Sequence, residues 1–503
     1  MKGDESVNLA EIFQNVDLVK VDGSLDLVIN EIDQDSRMVS QGDLFICIKG
    51  SKVDGHQFLK QAAAAGAVAA VVEDWPENNY GLTIIQVKDV VGVLKEIAGA
   101  FYGYPDQRLK LIGVVGTNGK TTSTYLVKSI LEASGYQVGL IGTINNLIKD
   151  QVIPGNNTVT NTTPGMLELQ KLFAKMVAAG VEYVVMEVSS HSIDQGRVAG
   201  LRFAGGIFTN ITQDHLDYHK TFAEYLKVKT KFFKDLPLDS WAAINNDDPH
   251  AQSIIAQTKA KVYTYGMDNR ASVHAENVKV VQAGASYTAN TFKRNIDLAL
   301  NLTGDFNVYN SLGALTAGLA EGLDLYIIKR GLESISTVPG RFQRVPESKN
   351  FGVIIDYAHT PDGLENILKT ARSLTSRRLL LVFGCGGDRD RTKRPIMGEI
   401  AAQMADFTII TSDNPRSEDP LKIINDIEVG FQKSRLNAAY QVEVDRAKAI
   451  RKIIAMADED DLVMIAGKGH ETYQDFGDHR IHFDDQEVAR EALKEKFNGQ
   501  LQA

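Results

Sequence analysis

The chain has 503 residues, enough for about two to four domains, and its 44% hydrophobic and 23% charged content is that of a globular protein. A formal net charge of −10 argues against a general binder of nucleic acid or anionic membrane, so any nucleotide contacts must be local. Two cysteines, Cys47 and Cys385, show neither metal spacing nor a disulfide framework, as expected in a reducing compartment; no run of about 18 apolar residues predicts a membrane span, and MKGDESVNLAEIF has no apolar leader core.

Residues 1–105 alternate short strands, expected at 44–48, 69–72 and 83–87, with helices such as 57–65. The segment DQDSRMVSQGDLF sets Ser36 and Arg37 in a polar turn before a buried strand; by themselves they read as a capping serine and a surface arginine. YGYPDQRLK (102–110) reads as a linker into a second unit, 106–336.

That unit opens with LIGVVGTNGKTT (111–122), an apolar strand, a Gly-rich turn and a helix beginning at Lys120. Backbone N–H groups at a helix N-terminus attract an anion; Lys120 can reach outer phosphates and the Thr121 hydroxyl can ligate Mg²⁺. The strict G-x-x-x-x-G-K-[ST] pattern fails at Val114; the glycines are Gly113, Gly116 and Gly119. A strand at 138–142 precedes a polar loop with NTTPG (161–165), where Pro164 suits the first turn of a helix. Strands at 183–188 and 206–211 end in EVSSH and TQDHLDYH, delivering Glu187, Ser189, Ser190, His191, Asp214, His215 and Asp217 to one sheet edge. Ligands collect there in α/β sheets, and Glu187 with His215 suits a second Mg²⁺. TFAE matches a capping box for a helix over 221–233; composition alone reads its lysines, Lys227, Lys229, Lys231 and the nearby Lys234, as a solvated face. In LTGDFNVYNSLGAL (302–315), Asn307 and Asn310 lie one helical turn apart and could face a purine together.

The third unit, 337–503, has strands expected at 353–356, 379–383, 407–411 and 462–465, which empty into DYAHTPD, GCGGDRDRTKRP, SDNPRSEDP and AGKGHETYQ. Any one of these is ordinary turn chemistry. Four polar, Gly-containing loops at four strand ends imply one shared site.

The ordered set DSR (35–37), GTNGKTT (116–122), NTTP (161–164), EVSSH (187–191), TNITQDHLDYH (209–219), Tyr225 four residues before Lys229, GDFNVYN (304–310), PGRF (339–342), DYAHTPDG (356–363), GGDRDRTKRP (386–395), DNPR (413–416) and GKGHE (467–471) resembles the Mur ligases over essentially the full length. Among them it is most similar to the ligases that add the third amino acid of the peptidoglycan stem peptide. Lys220, where relatives usually carry Gly, is one departure. The resemblance implies three α/β domains: an N-terminal UDP-binding domain, a central P-loop-type ATPase domain with a mainly parallel sheet, and a C-terminal Rossmann-like domain.

It further implies that Ser36, Asn161, Thr162, Thr163, Ser189, Gln195 and Arg197 hold UDP-MurNAc-L-Ala-D-Glu. Gly116, Thr117, Asn118, Gly119, Lys120, Thr121 and Thr122 would hold the phosphates of ATP, with Asn307, Arg341, Asp356 and His359 as further nucleotide contacts. Mg²⁺ would lie near Thr121, Glu187, His215 and Lys229, the last as an N-carboxylated lysine, which overrides the solvated-face reading. Lys120, Lys229 and His215 become the catalytic set. Arg389, Asp413, Asn414, Pro415, Arg416, Gly467 and Glu471 would bind the incoming amino acid, expected to be meso-diaminopimelate because Arg416 offers a bidentate guanidinium to its extra carboxylate. The implied enzyme is a cytoplasmic, monomeric ATP-dependent amide ligase working through an acyl phosphate on small-molecule substrates, with no nucleic-acid partner. Alternatives are the same ligation with L-lysine or another diamino acid such as lanthionine, a folylpolyglutamate-synthetase-like ligase, and a simple nucleotide-dependent switch.

Overall fold

The computed structural model describes residues 7–50, 53–153, 162–348, 350–434 and 438–500. Among them the chain forms three main sheets. The first, near the N-terminus, has five strands in the order Leu18–Asp22, Thr83–Val87, Ala69–Val72, Leu44–Ile46, Ile32–Asp33, parallel except for the antiparallel edge strand Leu18–Asp22. The strand expected over 44–48 stops at Ile46, and the helix over 57–65 begins as a 3₁₀ turn, Gly55–Phe58, before Leu59–Ala65.

The central sheet has eleven strands. Its parallel heart runs Val138–Ile141, Tyr183–Glu187, Lys110–Val115, Phe203–Phe208, Trp241–Asn245, Lys261–Gly266. The first five of these strands are buried over nearly all their length, as strands covered on both faces must be, whereas Lys261–Gly266 is buried only at Tyr265 and Gly266. Two antiparallel hairpins extend the far edge, Val273–Val281, Gly284–Asn290 and Ile296–Leu300, where alternating exposed and buried residues mark one solvated face. The strand expected over 206–211 sits three residues earlier. Its ladder with Lys110–Val115 ends at Phe208↔Val115, where the partner turns away at Gly116, and Ile211 stays buried in the loop that follows. The helix expected from Pro164 starts at Met166. Thr163 is tied into the neighbouring loops instead, its hydroxyl donating to the Glu187 carbonyl at 2.9 Å.

The third sheet is ordered Gln343–Arg344, Gly352–Asp356, Leu462–Ala466, Leu379–Phe383, Phe407–Ile410, Ala439–Val442, parallel after its first strand. Parallel pairing aligns the carboxyl ends of its strands, so the segments beginning at Tyr357, Gly384, Thr411 and Gly467 emerge on one edge. Two helices behind it are joined by a fully buried ion pair. Arg446 Nε and Nη2 each donate at 2.7 Å to the Asp485 carboxylate, and Nη2 also bonds the Ala466 carbonyl at 3.0 Å.

Removing one partner of such a pair strands a buried charge, so Asp485→Ala should cost about 3–5 kcal/mol in urea unfolding, while Arg446→Met with Asp485→Leu should cost much less. Equal losses in the two variants would contradict this account of the pair.

Candidate active site

The phosphate turn is shaped by what presses on it. A side chain at position 116 would collide with the Thr209 hydroxyl, and Gly119 has φ +84°, with Asn310 against its open face. Asn310 donates at 3.0 Å to Asn307 Oδ1, and both are buried. The two asparagines therefore satisfy each other and brace the turn rather than presenting a joint open face. Thr117 N–H donates to the Asn210 carbonyl and Asn118 N–H to Asn210 Oδ1, both at 2.9 Å, so the loop after Phe203–Phe208 holds the turn from outside. Lys120, at the start of the helix Lys120–Ala133, folds back and donates to the carbonyls of Gly116 (2.9 Å) and Thr117 (2.8 Å).

Lys229 reaches the same carbonyl. Its helix, Phe222–Lys234, is capped by Thr221 Oγ1 accepting from Glu224 N–H at 3.2 Å. It lies directly on the sheet because Gly113 and Gly206 leave room for the Phe232 ring; a Cβ at either would stand 2.5–2.6 Å from it. Lys229, one turn earlier, is thereby driven to the end of the strands. It is 1% exposed and donates to Gly116 O at 2.7 Å. Burial, reinforced by the nearby Lys120 charge, holds its amine well below the ordinary lysine pKa. The solvated-face reading fails for this lysine, whereas Lys227 and Lys231 are exposed. Tyr225 covers the amine, its ring 4.7 Å away and its hydroxyl 3.0 Å from Thr117 Oγ1.

Glu187, the last residue of its strand and 1% exposed, is the hub of a second cluster. Its carboxylate accepts from Thr121 Oγ1 (3.0 Å), Thr143 N–H (2.9 Å) and Thr143 Oγ1 (3.0 Å). Thr121 Oγ1 in turn accepts from Arg341 Nη2 at 3.0 Å. Oxygen donors beside a phosphate cradle fit Mg²⁺, which takes one or two protein ligands and completes its octahedron with phosphate and water. Consistent with so few protein ligands, no three His, Cys, Asp or Glu side chains converge on an ion position among the described residues. His215 is half-exposed, at φ +53°, with its ring 4.9 Å from His191 and Nε2 3.4 Å from Asp214 Oδ2. Lys220 has φ +64°, a conformation that favours glycine.

Beside this cluster lie the residues expected to hold the muramyl substrate. Thr162 Oγ1 stands 3.1 Å from Thr143 Oγ1, and Thr163 Oγ1 accepts from Ser189 N–H at 3.1 Å. Arg197 donates to the Thr163 carbonyl (3.0 Å) and to Gln195 Oε1 (2.5 Å). Ser189 caps the helix Ser190–Asp194. Asn161 lies outside the described residues. Ser36 is buried, bonded to Gln61 at 3.1 Å, while Arg37 is exposed and paired with Asp35; neighbouring Gln34 approaches Gly165 across the boundary between the sheets.

The C-terminal sheet edge closes over the phosphate turn. Arg341 stacks 4.8 Å above Tyr357, whose ring is flanked by His359 (4.6 Å) and His470 (4.8 Å). Asp356 accepts from the N–H groups of Phe342 and Ala358, each at 2.7 Å, and burial raises its pKa. Farther along the edge, Asn414 Nδ2 donates to Glu471 Oε2 at 2.7 Å. Lys468, with no side-chain exposure, donates to Asn414 Oδ1 (3.0 Å) and Glu471 Oε2 (2.9 Å). Sequence reading singled out Glu471 and passed over Lys468, although the GKGHE motif contains both. Glu471 thus already holds one internal ammonium, and burial raises its pKa. Asp413 Oδ2 lies on the open side of Gly467, which has φ +117°. Arg416 Nη1 is committed to the Gly387 carbonyl at 2.6 Å, so its guanidinium is anchored by one arm. Pro415 is buried beneath it, and Arg389 is exposed, bonded to the Asp388 carbonyl at 3.0 Å.

His359 is exposed, whereas His470 is only partly exposed and its Nδ1 is buried. Burial of the His470 ring, followed by the nearby Arg341 charge, lowers its pKa to about 3. Between that value and the ordinary 6.5 the unfolded chain binds more protons, so stability falls as pH drops through 6.5 towards 4. His470→Gln should flatten that slope by up to about 1.4 kcal/mol per pH unit in urea titrations between pH 4 and 7; an unchanged slope would show that His470 is not buried neutral.

Three family descriptions match in chain order: Mur ligase family, catalytic domain, over residues 28–102; Mur ligase middle domain over 114–318; and Mur ligase, glutamate ligase domain, over 340–469. The UDP-N-acetylmuramoyl-L-alanyl-D-glutamate–2,6-diaminopimelate ligase 1 of Clostridium acetobutylicum is 45% identical over 493 residues, covering 98% of this chain and all of its own. A solved structure of a UDP-N-acetylmuramoyl-L-alanyl-D-glutamate–2,6-diaminopimelate ligase superposes with a TM-score of 0.68 at 31% identity, over 98% of this chain and 100% of that one. The Mycobacterium tuberculosis folylpolyglutamate synthase complexed with ADP and AMPPCP shares the fold at 19% identity, with a TM-score of 0.62 over 80% of this chain and 93% of its own. With a phosphate turn, a Glu187 hub and a second sheet edge facing them, and with full-length likeness of this degree, the chain belongs to the Mur ligase family.

Proposed function

We propose that this protein joins meso-2,6-diaminopimelate to the D-Glu of UDP-MurNAc-L-Ala-D-Glu at the expense of ATP, in the cytoplasm and as a monomer. The observation that carries the reading is the direct approach of the C-terminal sheet edge to the phosphate turn, through Arg341 on Thr121. Such an approach would bring an amino-acid site beside a phosphoryl donor. The proposed domains are 1–105 for the UDP-linked substrate, 106–336 for ATP and 337–503 for the amino acid.

A carboxylate is a poor acyl donor because oxide is a poor leaving group. In the proposed reaction the D-Glu γ-carboxylate oxygen attacks the γ-phosphorus of ATP, ADP leaves, and an acyl phosphate forms. The amine of diaminopimelate then attacks the acyl carbon, and inorganic phosphate departs with the acyl–oxygen bond. Gly116 to Thr122 cradle the phosphates, and Lys120 swings from its own loop carbonyls to the transferring group, where it offsets developing negative charge. Thr121, Glu187 and His215 would hold Mg²⁺, which neutralises phosphate charge. Asn307, Arg341, Asp356 and His359 frame the nucleotide. Ser36, Asn161, Thr162, Thr163, Ser189, Gln195 and Arg197 hold the muramyl peptide.

Lys229 supports a carbamate. Burial holds its amine well below the ordinary lysine pKa, which favours the neutral, nucleophilic form. That amine adds to CO₂ with loss of one proton, and the resulting anion would lie beside Lys120, where it would help hold Mg²⁺. Arg416, anchored through Nη1, presents its remaining N–H groups to the distal carboxylate of diaminopimelate, alongside Arg389 and Asn414. Asp413, Gly467 and Glu471 face its ammonium groups, with Lys468 fixing Glu471 in place. L-lysine would leave the Arg416 arm unpaired, and a site built this way rejects the deficient analogue by roughly 10⁴-fold.

Phosphate release from ATP should be negligible with ATP alone and strong only with the UDP-muramyl dipeptide and diaminopimelate together. In competition assays read by mass spectrometry, kcat/KM should favour meso-diaminopimelate over L-lysine by orders of magnitude, and Arg416→Ala should erase most of the gap. Equal use of both by the unmutated enzyme would refute the substrate assignment. Lys120→Ala should lose product formation with folding intact. Lys229→Ala should be nearly inactive, and ¹³CO₂ labelling should give a carbamate carbon signal that this variant lacks.

A further inference from the structure

Asn118 sends its side chain from the phosphate turn across to the C-terminal domain. Its backbone is already occupied: N–H donates to Asn210 Oδ1, and its carbonyl accepts from Thr209 Oγ1 at 2.6 Å and Asn210 Nδ2 at 3.2 Å. Its amide Nδ2 donates at 2.7 Å to Asp362 Oδ2, in the first turn of the helix Pro361–Leu374. The same carboxylate oxygen accepts from Thr212 Oγ1 at 3.0 Å. Neither DYAHTPD nor GTNGKTT announces this contact, because 244 residues separate its ends.

We infer that Asp362 is a positioning residue for the ligation: a single carboxylate oxygen that clasps the phosphate turn and the 209–212 loop when the C-terminal domain docks. Asp362 is not needed by its own helix, since Thr360 provides the cap, its Oγ1 accepting from Gly363 N–H at 3.2 Å. Placed at a helix N-terminus, the carboxylate is stabilised in both docked and undocked states. A carboxylate beside a triphosphate site repels the ligand unless it serves another purpose, and two converging neutral donors supply that purpose. The clasp holds Asn118 by its side chain while Asn210 holds it by its backbone, so the shape of the turn and the position of the C-terminal sheet edge become one variable.

The kinetic consequence, resting on the ligase reading above, follows from population arithmetic. A ligand that binds only the docked state has its apparent affinity reduced by the fraction docked. Loss of the clasp lowers that fraction for every ligand held across the two domains, and saturating ligand restores docking. Measured with the other ligand limiting, Asp362→Ala should therefore raise the apparent KM values for ATP and for the diamino acid by a common factor, on the order of a hundredfold for two hydrogen bonds to a charged group. Its kcat at saturation should stay within about threefold, and the KM for the UDP-muramyl dipeptide should not move. Asp362→Asn keeps an acceptor oxygen and should recover much of the loss.

A second measurement needs no substrate. Hydrogen–deuterium exchange on the ligand-free protein should quicken at 116–120 and 209–213 in Asp362→Ala, and less in Asp362→Asn. Unchanged exchange at both segments would overturn the clasp. A fall in kcat with unmoved KM values would overturn the positioning role in favour of direct action on the reacting groups. Absence of ligation by the unmutated enzyme would instead be a failure of the functional reading, and exchange alone would then decide the clasp.

Discussion

Two lysine amines converge on one carbonyl. Gly116 O accepts Lys120 Nζ at 2.9 Å and Lys229 Nζ at 2.7 Å, and this shared acceptor constrains everything around it. Two ammonium groups on one oxygen in a buried setting are costly, so one amine must be neutral or its charge compensated. The more deeply buried Lys229 is the one held further below the ordinary lysine pKa. The arrangement requires glycine at 116, where Thr209 leaves no room, and at 113 and 206, where Phe232 lies on the sheet and brings Lys229 with it. Packing on the back of the strands thereby sets the chemistry at their ends.

The Thr121 hydroxyl makes a comparable connection between domains. It has one proton and donates it to Glu187, while its lone pair accepts from Arg341. Glu187 in turn is satisfied by Thr143, on the loop leading towards the 162–163 segment. A continuous hydrogen-bonded path therefore runs from Thr162, through Thr143, Glu187 and the phosphate helix, to the C-terminal domain. Three substrates to be held in line call for such connection, because orientation supplies a large share of rate enhancement in reactions of this kind.

The C-terminal sheet edge proposed to take the amino acid is built from charges already matched within the protein. Lys468 sits with Glu471 and Asn414; Arg446 sits with Asp485 beneath Gly467; Arg416 is anchored to Gly387. Internal matching keeps rotamers fixed before a ligand arrives, which reduces the ordering cost of binding and sharpens rejection of a substrate lacking one charge.

The sequence by itself determined the local pieces. The β-branched run before Gly116, the Gly-Lys-Thr start of the phosphate helix, the Thr221 cap and the four polar loops at four C-terminal strand ends are encoded by near neighbours, and periodicity reads them. Strand ends were less legible: the strand over Phe203–Phe208 stops where its partner turns, not where its own apolar residues stop. The tertiary structure alone decided what depends on distant parts of the chain. Composition placed Lys229 in solvent, and only resemblance to the family argued otherwise; its burial comes from two glycines on strands about 20 and 115 residues away in sequence. Lys468 between Asn414 and Glu471, and Asp362 on Asn118, join segments that no window along the chain contains. Hydrogen bonds of that kind leave no periodic trace, because their geometry is set by how sheets and domains meet rather than by spacing along the backbone.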